Sequence, residues 1–156
     1  MLRNFAVFLA VFGTLGCGAD GPKWDLNPHA VTGKVLYDGR PASGVLVGLL
    51  PVDAPLPPAV PGNPIGTTGA DGTFKLTTFS DGDGACEGSY QILLTWPVPS
   101  TSGDEERSKD KLLGWFDAAH SNLRYVVVKG SNTIPTINIP VPEYAPEEVP
   151  GIPGRN

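Results

Sequence analysis

The chain has 156 residues, 40% of them hydrophobic, and a formal net charge of −5. That length suits one domain with its own core, and the apolar content excludes a wholly disordered chain. The acidic balance, with no Lys/Arg cluster, argues against nucleic acid and against charge-driven docking on anionic lipid. Glycine (20) and proline (17) are both abundant; without a collagen period they point to short strands joined by turns.

The chain opens MLRNFAVFLAVFGTLGC. One cation, Arg3, precedes an apolar run from Phe5 to Val11, and small residues lead to Gly16-Cys17. Residues 1–16 have the order of an export signal and are too short for a spanning helix. A cysteine after a small residue at the end of such a run resembles the lipobox of bacterial lipoproteins, with Thr14 where leucine is usual. The resemblance implies cleavage before Cys17 and lipidation of Cys17 by a diacylglycerol on its thiol. Two or three acyl chains on one cysteine anchor a protein stably where one does not. The expected location is the periplasmic or outer face of a bacterial membrane. Gly18, not the aspartate that retains enterobacterial lipoproteins at the inner membrane, favours the outer one. Ordinary secretion with cleavage nearby is the alternative. Lipidated Cys17 would leave Cys86 without a disulfide partner, and a Cys17–Cys86 bridge is the rival.

Residues 17–29 lack periodicity and read as a tether, with Trp24 available to fold back onto the domain. The domain is expected over 30–139. Val31–Tyr37 alternates, with Val31, Val35 and Tyr37 on one face, and Asp38-Gly39 supplies a tight turn. Gly44–Leu50 is apolar on both faces and predicts a buried central strand. Pro51, Pro55, Pro57, Pro58, Pro61 and Pro64 mark an exposed loop. Ile65–Thr68, the turn Gly69–Gly72 and Thr73–Phe79 predict a hairpin with Phe74 and Leu76 inward. Ser80–Gly88 is a loop. Ser89–Trp96 is the strongest strand, with Tyr90, Ile92, Leu94 and Trp96 sharing a face. Pro97–Lys109 is polar and charged. Asp110–His120 has helical spacing at Leu112, Trp115 and Phe116, which Gly114 limits to a turn or two. Leu123–Lys129 and Thr133–Ile139 are the last strands, and 140–156 is a Pro/Glu-rich tail expected to be disordered. About seven strands and one short helical insertion predict an all-β, antiparallel Greek-key β-sandwich.

Val31-Thr-Gly-Lys-Val35 with Asp38-Gly-Arg-Pro41, Gly66-Thr-Thr-Gly-Ala-Asp-Gly-Thr-Phe74, and Glu87-Gly-Ser-Tyr90 resemble carboxypeptidase regulatory-like domains, which are transthyretin-like sandwiches. The lipobox, Ser80–Glu87, Thr95-Trp96-Pro97 and Asp110–Gly114 are similar to small lipoproteins of that type in planctomycete bacteria. The resemblance spans about Ala30 to Ile139. Its motifs are turns and strand starts, so it implies a fold and a non-catalytic accessory module in the cell envelope, and no ligand.

The candidate chemistry is sparse. Asp81, Asp83 and Glu87 share one loop, but the spacing fails the EF-hand pattern, and a solvated acidic turn is the simpler reading. Cys86 lies between Asp83 and Glu87, which favour thiol over thiolate. His29 and His120 have no Gly-x-Ser-x-Gly nucleophile to serve and are expected at the surface. The transthyretin-like hydroxyisourate hydrolases carry a Tyr-Arg-Gly-Ser that this chain's Pro153-Gly-Arg-Asn156 does not match. No catalytic, cofactor-binding or metal-binding residue is therefore assigned, and no cofactor is called for. Trp24, Trp96 and Trp115 are candidates for a sugar-stacking platform. Trp96 is in phase with the core, and Trp115 with Phe116 is the better exposed candidate, against a role in capping an open end of the sandwich. The leading expectation is a lipid-anchored structural or interaction module whose partner is the membrane plus an envelope protein or glycan. The second is a carbohydrate- or peptide-binding domain using Pro51–Pro64 and Pro97–Ser108 at one end of the sandwich.

Overall fold

The computed structural model describes residues 24–98 and 110–141. Cys17, the export signal and residues 142–156 lie outside them. Nine strands run in chain order among the described residues: β1 (Val31–Tyr37), β2 (Arg40–Pro41), β3 (Leu46–Pro51), β4 (Ile65–Thr67), β5 (Thr73–Lys75), β6 (Gly88–Thr95), β7 (Arg124–Val127), β8 (Asn132–Thr133) and β9 (Ile137–Ile139). Where about seven strands are expected, short pieces such as β2 and β8 raise the number. They form two sheets, and the described chain is all-β.

The four-stranded sheet has the order β4-β3-β6-β7 and is antiparallel throughout. β3 lies between β4 and β6, as its apolar character on both faces predicts. The five-stranded sheet is mixed and is built around β1. β1 runs antiparallel to β5 and β2 but parallel to β8 and β9. The last strand thus pairs with the first.

Side-chain alternation supplies the core. Val31, Val35, Phe74, Ile137 and Ile139 from one sheet meet Val47, Leu49, Tyr90, Ile92 and Leu94 from the other in one buried cluster. The two sheets share that core as a β-sandwich does. Burial of these side chains is the main favourable term in the fold. The Asp38-Gly39 turn is as expected: both residues have positive φ (51° and 73°), the geometry of a two-residue hairpin turn between β1 and β2.

Three expectations are corrected. First, Ile65–Thr68 and Thr73–Phe79 form a hairpin only in part: Ile65 and Thr77 exchange two backbone hydrogen bonds (3.0 and 2.9 Å) and Gly69 N–H donates to Thr73 O (2.8 Å), but β4 pairs along its length with β3 and β5 with β1. Gly66 also lies against the Lys75 backbone, so the two strands stay adjacent as they part. Buried Thr68 explains the divergence. Its hydroxyl donates to Ala42 O (2.6 Å) and accepts from Val45 N–H (2.8 Å), which ties the end of β4 to the chain entering β3. The turn Gly69–Gly72 then carries β5 across to β1.

Second, 110–120 is not helical. Leu113 N–H donates to Asp110 O, Trp115 N–H to Leu112 O, and Asp117 N–H to Gly114 O. These are successive four-residue turns. Leu113 (φ 53°) and Gly114 (φ 77°) are left-handed, so no right-handed helix can pass through them. Leu112 is still buried and Phe116 still packs on the core, as their spacing suggests.

Third, the Pro51–Pro64 loop is not uniformly exposed. Val60 and Pro64 are buried, and Pro64 O accepts from Leu49 N–H (2.9 Å).

Residues 24–30 form a strap on the domain. His29 and Ala85 exchange two backbone hydrogen bonds (2.8 and 3.0 Å). Trp24 lies against Gly88 and packs at 6.2 Å, tilted, on the Tyr90 ring. The ordered unit therefore begins at least as early as Trp24, within the expected tether.

Candidate functional site

The acidic loop is a structural device. Asp83 Oδ1 accepts from Thr78 N–H (2.8 Å), and Oδ2 accepts from Phe79 N–H (3.0 Å) and Ser80 N–H (2.8 Å). Burial opposes its charge, but the N–H donors of Thr78, Ser80 and Phe79 outweigh that and hold the carboxyl below its ordinary value of 3.8. Both oxygens face protein donors. No group of three metal-capable side chains occurs among the described residues.

The sign of this pKa shift sets a pH dependence. A carboxyl depressed on folding contributes stability above its unfolded value, and that contribution is lost as pH falls through the folded one. Asp83→Asn is expected to lower stability at neutral pH and to flatten the acid limb below about pH 3.8. Urea midpoints measured from pH 2 to 7 check it; an unchanged acid limb would show that the loop closes without the charge.

Cys86 is buried and free of any disulfide among the described residues. Burial first, then the charges of Asp25 and Asp83, push its thiol up. That is the opposite of an activated nucleophile. Its carbonyl accepts from the Tyr90 hydroxyl (3.0 Å), which anchors the one polar atom of a fully buried ring.

The two histidines sit on different elements beside different carboxylates. His29, in the strap, is mostly buried rather than on the surface. Its Nε2 lies 3.7 Å from Glu87 Oε1 and has no hydrogen-bond partner. His120 is exposed, with Nδ1 2.8 Å from Asp117 Oδ1. Neither faces a Ser or Cys nucleophile in the contacts made by the described residues.

The aromatic candidates separate. Trp96 is half-buried, edge-on to Tyr37 at 5.5 Å, with Lys111 Nζ 4.7 Å from its ring centre. Trp115 points outward and is 53% exposed; Leu113 beside it is 69% exposed. Phe116 turns in. Leu113, Gly114, Trp115 and His120 line a shallow depression of about 380 Å³.

Asp110 fixes this knuckle. Its Oδ1 accepts from Trp96 N–H (2.7 Å) and Leu112 N–H (3.0 Å), and Oδ2 accepts from Gly114 N–H (3.1 Å). A leucine in the left-handed region costs roughly 1–3 kcal/mol. Here that strain coincides with two large apolar side chains left in water.

Asp117 lies below the knuckle. Oδ1 accepts from Ala119 N–H, His120 N–H and the His120 ring. Slight desolvation opposes its charge, but the His120 ring and the two N–H groups prevail and lower its pKa. A Cβ placed on Gly114 would meet Asp117 Oδ2 at 3.3 Å, so that oxygen sits beside a residue that lines the depression. His120 is at the surface, as the sequence predicts, but it is paired with Asp117 there. The spacing Asp117-x-x-His120 was the signal that a turn would join the two.

A second groove of about 410 Å³ lies under the proline loop, with Leu50, Val52, Leu56 and Asn63 in its wall. No protein-family model matches the chain, and no curated protein does.

Proposed function

We propose that this chain is a non-catalytic lipoprotein of the cell envelope, a transthyretin-like Greek-key sandwich held at a membrane by acyl chains on Cys17. One observation carries the reading: the order cation, apolar run, small residues and cysteine in Met1–Cys17. The placement of His29, His120 and Cys86 supports a module without catalysis, because each is committed to a separate local contact. Its partners are the membrane and an envelope protein or glycan, on the outer membrane by the Gly18 criterion.

Mass spectrometry of the N-terminal peptide from a membrane fraction tests the anchor. The expected result is a peptide starting at Cys17 with the added mass of two or three acyl chains. A free thiol at Cys17, or a peptide still carrying Met1, overturns it.

The outward Trp115 favours a second reading, a carbohydrate- or peptide-binding domain using one end of the sandwich. Exposed apolar groups on a rigid turn mark binding surfaces.

A further inference from the structure

The depression at Leu113–Trp115 has the two ingredients that a flat, hydroxylated ligand needs. One wall is apolar: the exposed face of Trp115 and the side chain of Leu113. The other presents acceptors. Asp117 Oδ1 is occupied by three N–H groups, while Oδ2, beside Gly114, accepts no hydrogen bond from the described residues. A carboxylate only accepts, so His120 Nδ1 is the donor in that pair; when the ring is neutral, its Nε2 is an acceptor. The pattern is one aromatic face with two acceptors at its edge.

Charge narrows the occupant. Asp117 is an anion at the site. Anionic ligands and anionic lipid surfaces are repelled there. Two apolar side chains beside a carboxylate also make a poor membrane wedge, since the charge would enter the interface with them. A ligand that offers donors to the acceptors and a C–H face to the indole satisfies both walls.

We infer that the Trp115–Asp117–His120 depression is a saccharide subsite. It stacks the apolar face of a neutral or amine-bearing hexopyranose on Trp115 and accepts its hydroxyl or ammonium hydrogens at Asp117 Oδ2 and His120 Nε2. The inference rests on the carbohydrate-binding reading and supplies its site and its ligand class. The strain at Leu113 and the clamp of Asp110 have a use in this arrangement, because they hold the ring platform rigid before the ligand arrives.

The test is proton–nitrogen correlation NMR of the full mature protein in detergent, titrated separately with cellotetraose, a glucosamine tetramer and a galacturonate tetramer. The Trp115 indole N–H is assigned with Trp115→Phe. The expected result is a saturable shift of that indole with the first two sugars and at least tenfold weaker binding of galacturonate. Trp115→Ala is expected to abolish binding. Asp117→Asn keeps an acceptor for the turn, and is expected to weaken the glucosamine tetramer at least fivefold and to narrow the gap to galacturonate. Shifts confined to residues 51–64 would overturn the subsite and keep the carbohydrate-binding reading. No shift with any sugar would overturn both. Equal binding of galacturonate would overturn the role given to Asp117. A shift of the Trp115 indole with a proline-rich peptide but with no sugar would assign the surface to a protein partner and overturn the saccharide subsite.

Discussion

Gly84→Ala is expected to lower the stability of the domain by about 3 kcal/mol or more, one of the two largest effects expected of a single substitution. Gly84 has φ +97°, a conformation that alanine adopts only under strain. Its added Cβ would stand 1.8 Å from His29 O and 2.8 Å from Ala30 Cα. These are backbone atoms, so no rotamer change relieves the clash; the strap must move. Moving it breaks the paired bonds between His29 and Ala85, and each such bond is worth about 1 kcal/mol net. Urea denaturation is expected to show a lower midpoint, and hydrogen exchange a loss of protection at the His29 and Ala85 amides. A variant within about 1 kcal/mol of the parent, with both amides still protected, would show that the strap does not close on this loop.

Asp110→Ala is expected to cost about 2–3 kcal/mol and to release the Trp115 turn. Three N–H groups, of Trp96, Leu112 and Gly114, lose one shared carboxylate. Hydrogen bonds to a charged acceptor are worth about 1.5–3 kcal/mol each, and solvent recovers part of that for a half-buried group. The Asp110 carboxylate spans Leu113 by accepting from the residues on either side of it, and so clamps its left-handed φ. Thermal melting reports the stability loss. Collapse of the Trp115 indole resonance toward its unfolded position reports release of the turn. A drop in melting temperature with an unmoved indole would show that Asp110 supports β6 and not the knuckle.

Much of the strand pattern was legible because burial alternates with a period of two. Tyr90, Ile92 and Leu94 are buried as their spacing implies, and Arg124 and Val126 are exposed while Val127 is buried. The Asp38-Gly39 turn was legible because few residues tolerate two positive φ angles in succession. Pairing was legible only in part. Ile65–Thr68 and Thr73–Phe79 flank a glycine-rich turn and meet at Ile65 and Thr77, yet β4 takes β3 and β5 takes β1 as the main partner. The decision lies with Thr68, whose hydroxyl bonds residues 23 and 26 positions away. A distant contact of that kind leaves no local trace.

The site was half legible. Trp115 stood out as an aromatic beside charged residues, and the same apolar spacing suggested a helix that would have buried it. Leucine so seldom takes a left-handed φ that nothing in Leu112-Leu113-Gly114 announces the kink that throws Trp115 outward. The Asp117–His120 pair depends on that kink as well.

The parallel match of β9 to β1, Val35 opposite Ile137 and Tyr37 opposite Ile139, has a mechanical meaning. A pull between the segment before Val31 and the segment after Ile139 drags these two strands lengthwise in opposite directions. Their hydrogen bonds then resist together instead of opening one by one as a zipper does. A tug across the two ends of this domain is met by the strongest loading geometry a sheet offers.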